Sequence, residues 1–138
     1  MKKLGLTIFA AAALTLPLGA QVTQAIRADI PFEFVVGNTT EPAGAYLFSN
    51  QAAEGTVLMQ PLGGTGGHIL VTSPYSSSTS PQGPKLVFHR YGNQYFLSRV
   101  VTTWTGRDIP MSARERETRK TTVAAARQMQ TEIVLATP

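Results

Sequence analysis

The stretch "LVFHRYGNQYFLSRV", residues 86–100, encodes a complete β-hairpin and is the strongest indication of a β fold in the sequence. Between Tyr91 and Gln94 it places a Gly-Asn pair at the centre of a two-residue turn, and such turns need left-handed backbone angles that suit these residue types. Strand-forming residues flank the turn on both sides. The stretch therefore predicts two antiparallel strands, Lys85–Tyr91 and Gln94–Thr102.

Pairing outward from the turn predicts which residues share a face of the hairpin. The predicted cross-strand pairs are Arg90 with Tyr95, His89 with Phe96, and Phe88 with Leu97. One face then carries Leu86, Phe88, Arg90, Tyr95, Leu97 and Arg99, and the other carries Val87, His89, Tyr91, Gln94, Phe96 and Ser98. Because Arg90 can stack on the Tyr95 ring, we interpret the polar residues as cross-strand partners and His89 as a strand residue only. The hairpin is therefore not predicted to be a reaction site.

The stretch "IRADIPFEFVV", residues 26–36, predicts a second strong strand. Apolar and polar residues alternate along it, which is typical of a half-buried strand. Pro31 removes one backbone donor and favours the edge of a sheet. Such a strand can complete its own sheet or the sheet of a neighbouring copy. The predicted assembly strand comprises Ile26, Ala28, Ile30, Phe32, Phe34 and Val36.

The remaining segments complete the predicted fold. Further strands are predicted at 45–49, 56–62, 68–72 and 131–136, with a polar loop at 73–84. A helix is predicted at about 112–126, where Ser112 and Glu115 have the spacing of a capping box and Glu115 and Arg119 that of an i,i+4 ion pair. These elements predict a mainly β protein, an antiparallel sandwich or a partly open barrel of about seven strands with one late α-helix.

The first 25 residues have the layout of a secretory signal peptide. Lys2 and Lys3 precede an apolar run that is too short to span a bilayer, and small residues follow. We expect cleavage after Ala25, with Ala20 as the alternative site, export to the periplasm or the extracellular space, and a single β-rich domain over residues 26–138. No membrane span is expected after leader removal. Loss of the two lysines lowers the formal charge from +4 to +2, which does not indicate nucleic-acid binding.

The sequence contains no motif that indicates catalysis or a cofactor. Its two histidines, His68 and His89, and its lack of cysteine provide too few ligands for a metal site. The segment "GGTGGH" lacks the Gly-Lys-Ser/Thr ending of a phosphate-binding loop, and the serines at 76–80 form no nucleophile elbow. We therefore predict no catalytic residue, no metal site, no cofactor and no enzymatic activity.

Two further features are candidates for binding or modification. Asn38 begins an Asn-Thr-Thr sequon, which makes it a candidate glycosylation site. Tyr75, Tyr91 and Trp104 are candidate ligand-facing residues near the mouth of a small barrel. For Trp104, the only tryptophan, two positions stay open, one as a lid over the core and one as a ligand-facing platform.

Four blocks of the sequence resemble one protein family. In chain order they are "PFEFVVGN", "PAGAY", "LVFHRYGNQYFLS" and "GRDIPMSARERE". They are similar to consecutive blocks of a family of small exported, functionally uncharacterised β-rich bacterial proteins that is common in acidobacterial genomes. Glu41 departs from that pattern, which has an apolar residue before the Pro-Ala-Gly. The resemblance implies a compact exported β-rich domain and implies no activity.

The sequence supports two functional hypotheses of different classes. The first is a non-catalytic exported structural or interaction protein that assembles with copies of itself, in a fibre-like manner, through its N-terminal strand. The second is a small β-barrel that binds an apolar or sugar ligand. Oligomers of the purified protein favour the first, and a monomer with an extractable ligand favours the second.

Overall fold

The computed structural model describes five parts of the chain, residues 25–50, 53–75, 83–102, 105–124 and 130–135. The predicted signal peptide up to residue 24, the serine-rich segment 76–82 and Trp104 lie outside these parts. The described residues form eleven strands and one helix. In chain order they are β1 (Ala25–Ile30), β2 (Phe34–Val36), β3 (Thr39–Glu41), β4 (Gly44–Ser49), β5 (Thr56–Pro61), β6 (His68–Val71), β7 (Ser73–Tyr75), β8 (Lys85–Tyr91), β9 (Gln94–Val101), β10 (Gly106–Asp108), α1 (Ala113–Ala124) and β11 (Gln130–Leu135).

The strands form two sheets, which we call the four-stranded sheet and the seven-stranded sheet. The four-stranded sheet has the order β1-β4-β5-β6 and is antiparallel throughout. In the seven-stranded sheet β11, β8 and β9 lie side by side. β9 also pairs with two further strands, with β2 at Phe96 and with β10 at residues 99–101. β7 pairs with β10, and β3 with β2. The strands of the described residues do not close into a barrel, and the predicted mainly β sandwich with one late helix is confirmed.

One hydrophobic core lies between the two sheets. Every strand of the four-stranded sheet contributes to it, together with β2, β8 and β9 of the other sheet, because the inward residues alternate along each strand. Its buried members are Ile26, Ala28, Ile30, Phe34, Val36, Tyr46, Phe48, Val57, Met59, Leu70, Leu86, Phe88, Leu97 and Val100. The ring of Phe34 contacts Tyr46 and Phe88 edge-on, at 5.2 and 5.6 Å between ring centroids.

The predicted strand at 26–36 is divided between the two sheets. β1 pairs with β4 at the edge of the four-stranded sheet, where Pro31 ends it, and β2 then joins the seven-stranded sheet. The predicted apolar face is nevertheless the face that is buried. The exception is Phe32, which lies between the two sheets, is half-buried and stacks on Tyr95 with 3.9 Å between ring centroids. The alternation therefore predicted the burial but not the change of sheet.

The predicted hairpin register is correct from the turn as far as the pair of Phe88 and Leu97. Gly92 has the predicted left-handed conformation, with φ of 62°. Beyond that pair a β-bulge at Ser98 shifts the register by one residue. Arg99 consequently pairs with Val87, although the sequence predicted that it shares a face with Leu86. The residue opposite Leu86 is Val100, which is buried in the core. The Ser98 hydroxyl donates to the Val87 carbonyl at 3.2 Å and stabilises the bulge.

The strand number exceeds the predicted seven because three short strands and the division at Pro31 add to it. β3, β7 and β10 are three residues long, which is too short for an alternation to be recognised. β7 occupies the start of the predicted loop at 73–84 and pairs with β10. In the described ranges no helix is long and apolar enough to cross a membrane.

Candidate interaction surface

A buried polar cluster attaches α1 to the outer face of the seven-stranded sheet. The Glu115 carboxylate, only 4% exposed, accepts hydrogen bonds on Oε1 from His89 Nδ1 at 2.7 Å and from the Tyr91 hydroxyl at 3.1 Å. Tyr91 packs with Val35 and Phe96 in a second apolar cluster. Both partners of Glu115 lie on β8, so the cluster connects the helix to the hairpin of β8 and β9.

This cluster corrects two sequence interpretations. His89 is more than a strand residue, because it bonds a buried carboxylate 26 positions away. Ser112 caps α1 as predicted, accepting from the Glu115 backbone N–H at 3.1 Å. Within the described residues, however, the Glu115 carboxylate bonds His89 and forms no ion pair with Arg119. The capping-box spacing placed Glu115 in the first turn but gave no signal that its side chain turns toward the sheet.

The cluster keeps the Tyr91 phenol protonated over a wide pH range. Burial raises the pKa of Tyr91 to about 12, and the negative charge of Glu115 and its hydrogen bond add to that rise, while Arg119 opposes it. A protonated phenol is the form that can donate to the carboxylate. The arrangement therefore stabilises the position of α1.

The second histidine connects the two sheets. His68 Nε2 on β6 lies 2.7 Å from Glu41 Oε1 on β3. Tyr46 lies in the core close to this pair, and its hydroxyl donates to the Pro42 carbonyl at 2.7 Å. Burial, followed by the negative charge of Glu41, raises the pKa of Tyr46. Each of the two histidines thus joins different structural elements.

Arg99 is held by two neighbours near the far end of β9. Its Nε contacts Asp108 Oδ1 at 2.5 Å, and its guanidinium lies 3.5 Å from the centre of the Tyr75 ring. The predicted stacking of Arg90 on Tyr95 is present as well, at 5.3 Å. The Arg99 guanidinium therefore covers one face of the Tyr75 ring.

The structure does not bring Tyr75 and Tyr91, the two described candidate ligand-facing residues, together. Tyr91 is 2% exposed and pairs with Gln94, the residue of β9 next to the turn. Tyr75 lies near the opposite end of β9, because its partner Gly106 on β10 pairs there with Val101. Trp104 lies outside the described residues. Asn38 is exposed in the turn between β2 and β3, where the sequon was predicted. Among the described residues no three His, Asp or Glu side chains form a group that could hold a metal ion.

The clearest exposed apolar feature is β6, at one edge of the four-stranded sheet. β6 pairs only with β5 in the described chain. Its residue Leu70 enters the core, while Ile69 and Val71 face outward and are 64% and 71% exposed. Large β-branched side chains at this exposure leave apolar surface in water next to unpaired strand backbone. Both properties favour pairing with another chain.

The opposite edge of the same sheet is β1, which carries opposite charges. Arg27 and Asp29 face outward, exposed by 54% and 66%, and their side chains approach to 3.6 Å. The two edges therefore differ in chemistry, since one is apolar and the other is charged.

Comparisons of the chain with protein-family models, with curated proteins and with solved structures gave no match. By its architecture the chain is a two-sheet β-sandwich with one late helix.

Proposed function

We propose that this chain is an exported, non-catalytic structural protein whose copies associate edge to edge through the four-stranded sheet. The observation that carries the proposal is the exposed pair Ile69 and Val71 on the edge strand β6. The proposed partner is a second copy of the chain. The resemblance to the family of small exported β-rich proteins and the signal-peptide layout of residues 1–25 support the exported location.

The geometry of β6 suits pairing with itself. An antiparallel pair of β6 strands centred on Leu70 places Ile69 of each copy opposite Val71 of the other, and β-branched cross-strand pairs stabilise sheets. Each of these side chains would cover part of its exposed apolar surface against its cross-strand partner, and such a pair contributes about 0.2–1 kcal/mol. Leu70 of each copy keeps its place in its own core, because the side-chain alternation is preserved across the pair.

The polar clusters also support a structural role. The contacts of His89 with Glu115 and of His68 with Glu41 each connect two different structural elements, and Arg99 is fixed between Asp108 and Tyr75. In each case the bonding partners have an evident structural use. Their geometry therefore favours a scaffold over a reaction site.

The test is the self-association of the species that cells export. Mass spectrometry first determines its N-terminus, for which we expect Ile26, and an intact Met1 on exported material contradicts the leader prediction. Sedimentation velocity over a range of concentrations is then compared for the wild type, Ile69→Lys and Gln60→Lys. Gln60 is an exposed residue of β5, so its variant is matched in charge change.

We expect the wild type to associate with rising concentration and Ile69→Lys to have a lower average mass at every concentration. Gln60→Lys should behave as the wild type does. A wild type that stays monomeric throughout contradicts the proposed function, as does equal association of Ile69→Lys.

A further inference from the structure

The edge formed by β1 carries a charge pattern that is complementary to itself. Within the described residues β1 pairs only with β4, and β11, which runs near it, pairs with β8. Arg27 and Asp29 lie on the outward face, two positions apart, with Ala28 between them on the inward face. Pro31 ends the strand, so residues 26–30 form the length available for pairing.

We propose that β1 pairs antiparallel with β1 of a second copy about a two-fold axis at Ala28. This inference rests on the proposed function and specifies a second contact for the same assembly. In this register Arg27 of each copy lies opposite Asp29 of the other, and Ile26 lies opposite Ile30. The contact thus contains two cross-strand ion pairs on the outer face and a continuous apolar row on the inner face.

Other registers are unfavourable for identifiable reasons. A shift by one residue places inward side chains opposite outward ones, which the pleat does not allow when one face is buried. A two-fold axis at Arg27 places the arginines opposite each other, and an axis at Asp29 does the same with the aspartates. Like charges opposite each other destabilise a strand pair. Among the axes that lie within Arg27–Asp29, only Ala28 matches both charges.

Pairing of β1 with β6 of another copy is less favourable than pairing of like with like. It would place Arg27 and Asp29 beside the apolar Ile69 and Val71, and neither pair of side chains would gain a suitable partner. The two edges are therefore expected to form two separate two-fold contacts. Copies joined alternately by these contacts form an open chain, because each copy has one edge of each kind.

The experiment uses exported protein that carries Ile69→Lys, so that only the β1 contact remains. We expect this species to stop at dimers. Adding Arg27→Asp or Asp29→Arg places four like charges across the contact and should weaken dimerisation about tenfold or more. A protein that carries Arg27→Asp and Asp29→Arg together again has opposite charges facing each other in the same register, so it should dimerise as Ile69→Lys alone does.

A mixture of the two singly charge-reversed proteins gives the sharpest result. Neither should dimerise alone. In the mixture, the two acidic side chains on β1 of the Arg27→Asp protein face the two basic side chains on β1 of the Asp29→Arg protein, so mixed dimers should form. Glu117→Lys, an equal charge change on the exposed face of α1, is the control and should leave dimerisation unchanged.

The outcomes separate this inference from the proposed function. If Ile69→Lys is monomeric while the wild type associates, the β1 contact is overturned and the proposed function stands. Unchanged dimerisation of both charge-reversed variants, or a mixture that forms no mixed dimers, also overturns the register. A wild type without any association contradicts the proposed function itself.

Discussion

Replacing Tyr91 with phenylalanine tests the polar cluster under α1 with a change of one hydroxyl group. The ring keeps its contact with Phe96, at 5.6 Å between centroids, while the Glu115 carboxylate loses a donor at 3.1 Å. A hydrogen bond to a charged group contributes about 1.5–3 kcal/mol. We expect a loss of about 1.5 kcal/mol near neutral pH, the low end of that range, because His89 still donates to the same oxygen at 2.7 Å.

The difference between wild type and variant should change sign at high pH. The folded-state pKa of Tyr91 is raised to about 12 from a usual value of 10.0. Below pH 10 the phenol is protonated in both the folded and the unfolded chain, so its contribution to stability is complete. Above pH 10 the unfolded chain releases the proton first, and wild-type stability falls by about 1.4 kcal/mol per pH unit until about pH 12. The variant lacks this loss, so the two stability curves should cross near pH 11.

The assay is urea unfolding followed by circular dichroism at intervals from pH 8 to pH 11.5. Tyr95→Phe is the control, because Tyr95 lies in the same hairpin and its ring, stacked on Phe32, remains in the variant. We expect the Tyr95 variant to lose less stability than the Tyr91 variant at pH 8, because the hydroxyl that bonds Glu115 is that of Tyr91. A Tyr91 variant whose difference from the wild type stays constant over this pH range would contradict the predicted crossing.

Three further substitutions test the packing by the same unfolding measurement. Gly106→Ala places a Cβ 2.6 Å from Tyr75 Cδ1 and should lower the free energy of unfolding by about 1–3 kcal/mol. The control is Gly44→Ala, whose Cβ would lie 3.9 Å from Tyr46 Cε2. Equal stability of the two variants contradicts the prediction. Met59→Ala removes a side chain that is fully buried and should cost about 2–5 kcal/mol, so a loss below about 1 kcal/mol means that Met59 is not in the core. Gly92→Ala places an alanine at a left-handed φ of 62° and should lower the free energy of unfolding by about 1 kcal/mol. An unchanged urea midpoint argues against this turn.

Local chemistry made much of the fold predictable. The Gly-Asn turn fixed the hairpin register as far as Phe88 and Leu97, because turn type and register are coupled. The alternation at 26–36 identified the residues that the core buries, since the apolar positions stay on one side even where the strand changes sheet. Short-range patterns therefore predicted burial better than connectivity.

The features that the sequence did not reveal depend on distant partners. The bulge at Ser98 alters the hairpin beyond the turn, and its bond to Val87 has no counterpart in a periodic pattern. The bond between His89 and Glu115 joins residues that share no local repeat. The exposure of Ile69 and Val71 depends on β6 lying at the edge of its sheet, which strand formers alone do not specify.

The division of the N-terminal segment between two sheets sets an order of events during synthesis. β1 pairs with β4, about 20 residues later, whereas Val35 of β2 bridges Phe96, about 60 residues later. At about 5–20 residues per second, the partner of β2 emerges about 3–12 s after β2 itself. Throughout that delay Phe34 and Val36, which belong to the finished core, have only the short β3 to pair with. During synthesis the four-stranded sheet can therefore begin to form several seconds before β2 meets its partner in the seven-stranded sheet, and the apolar core closes last.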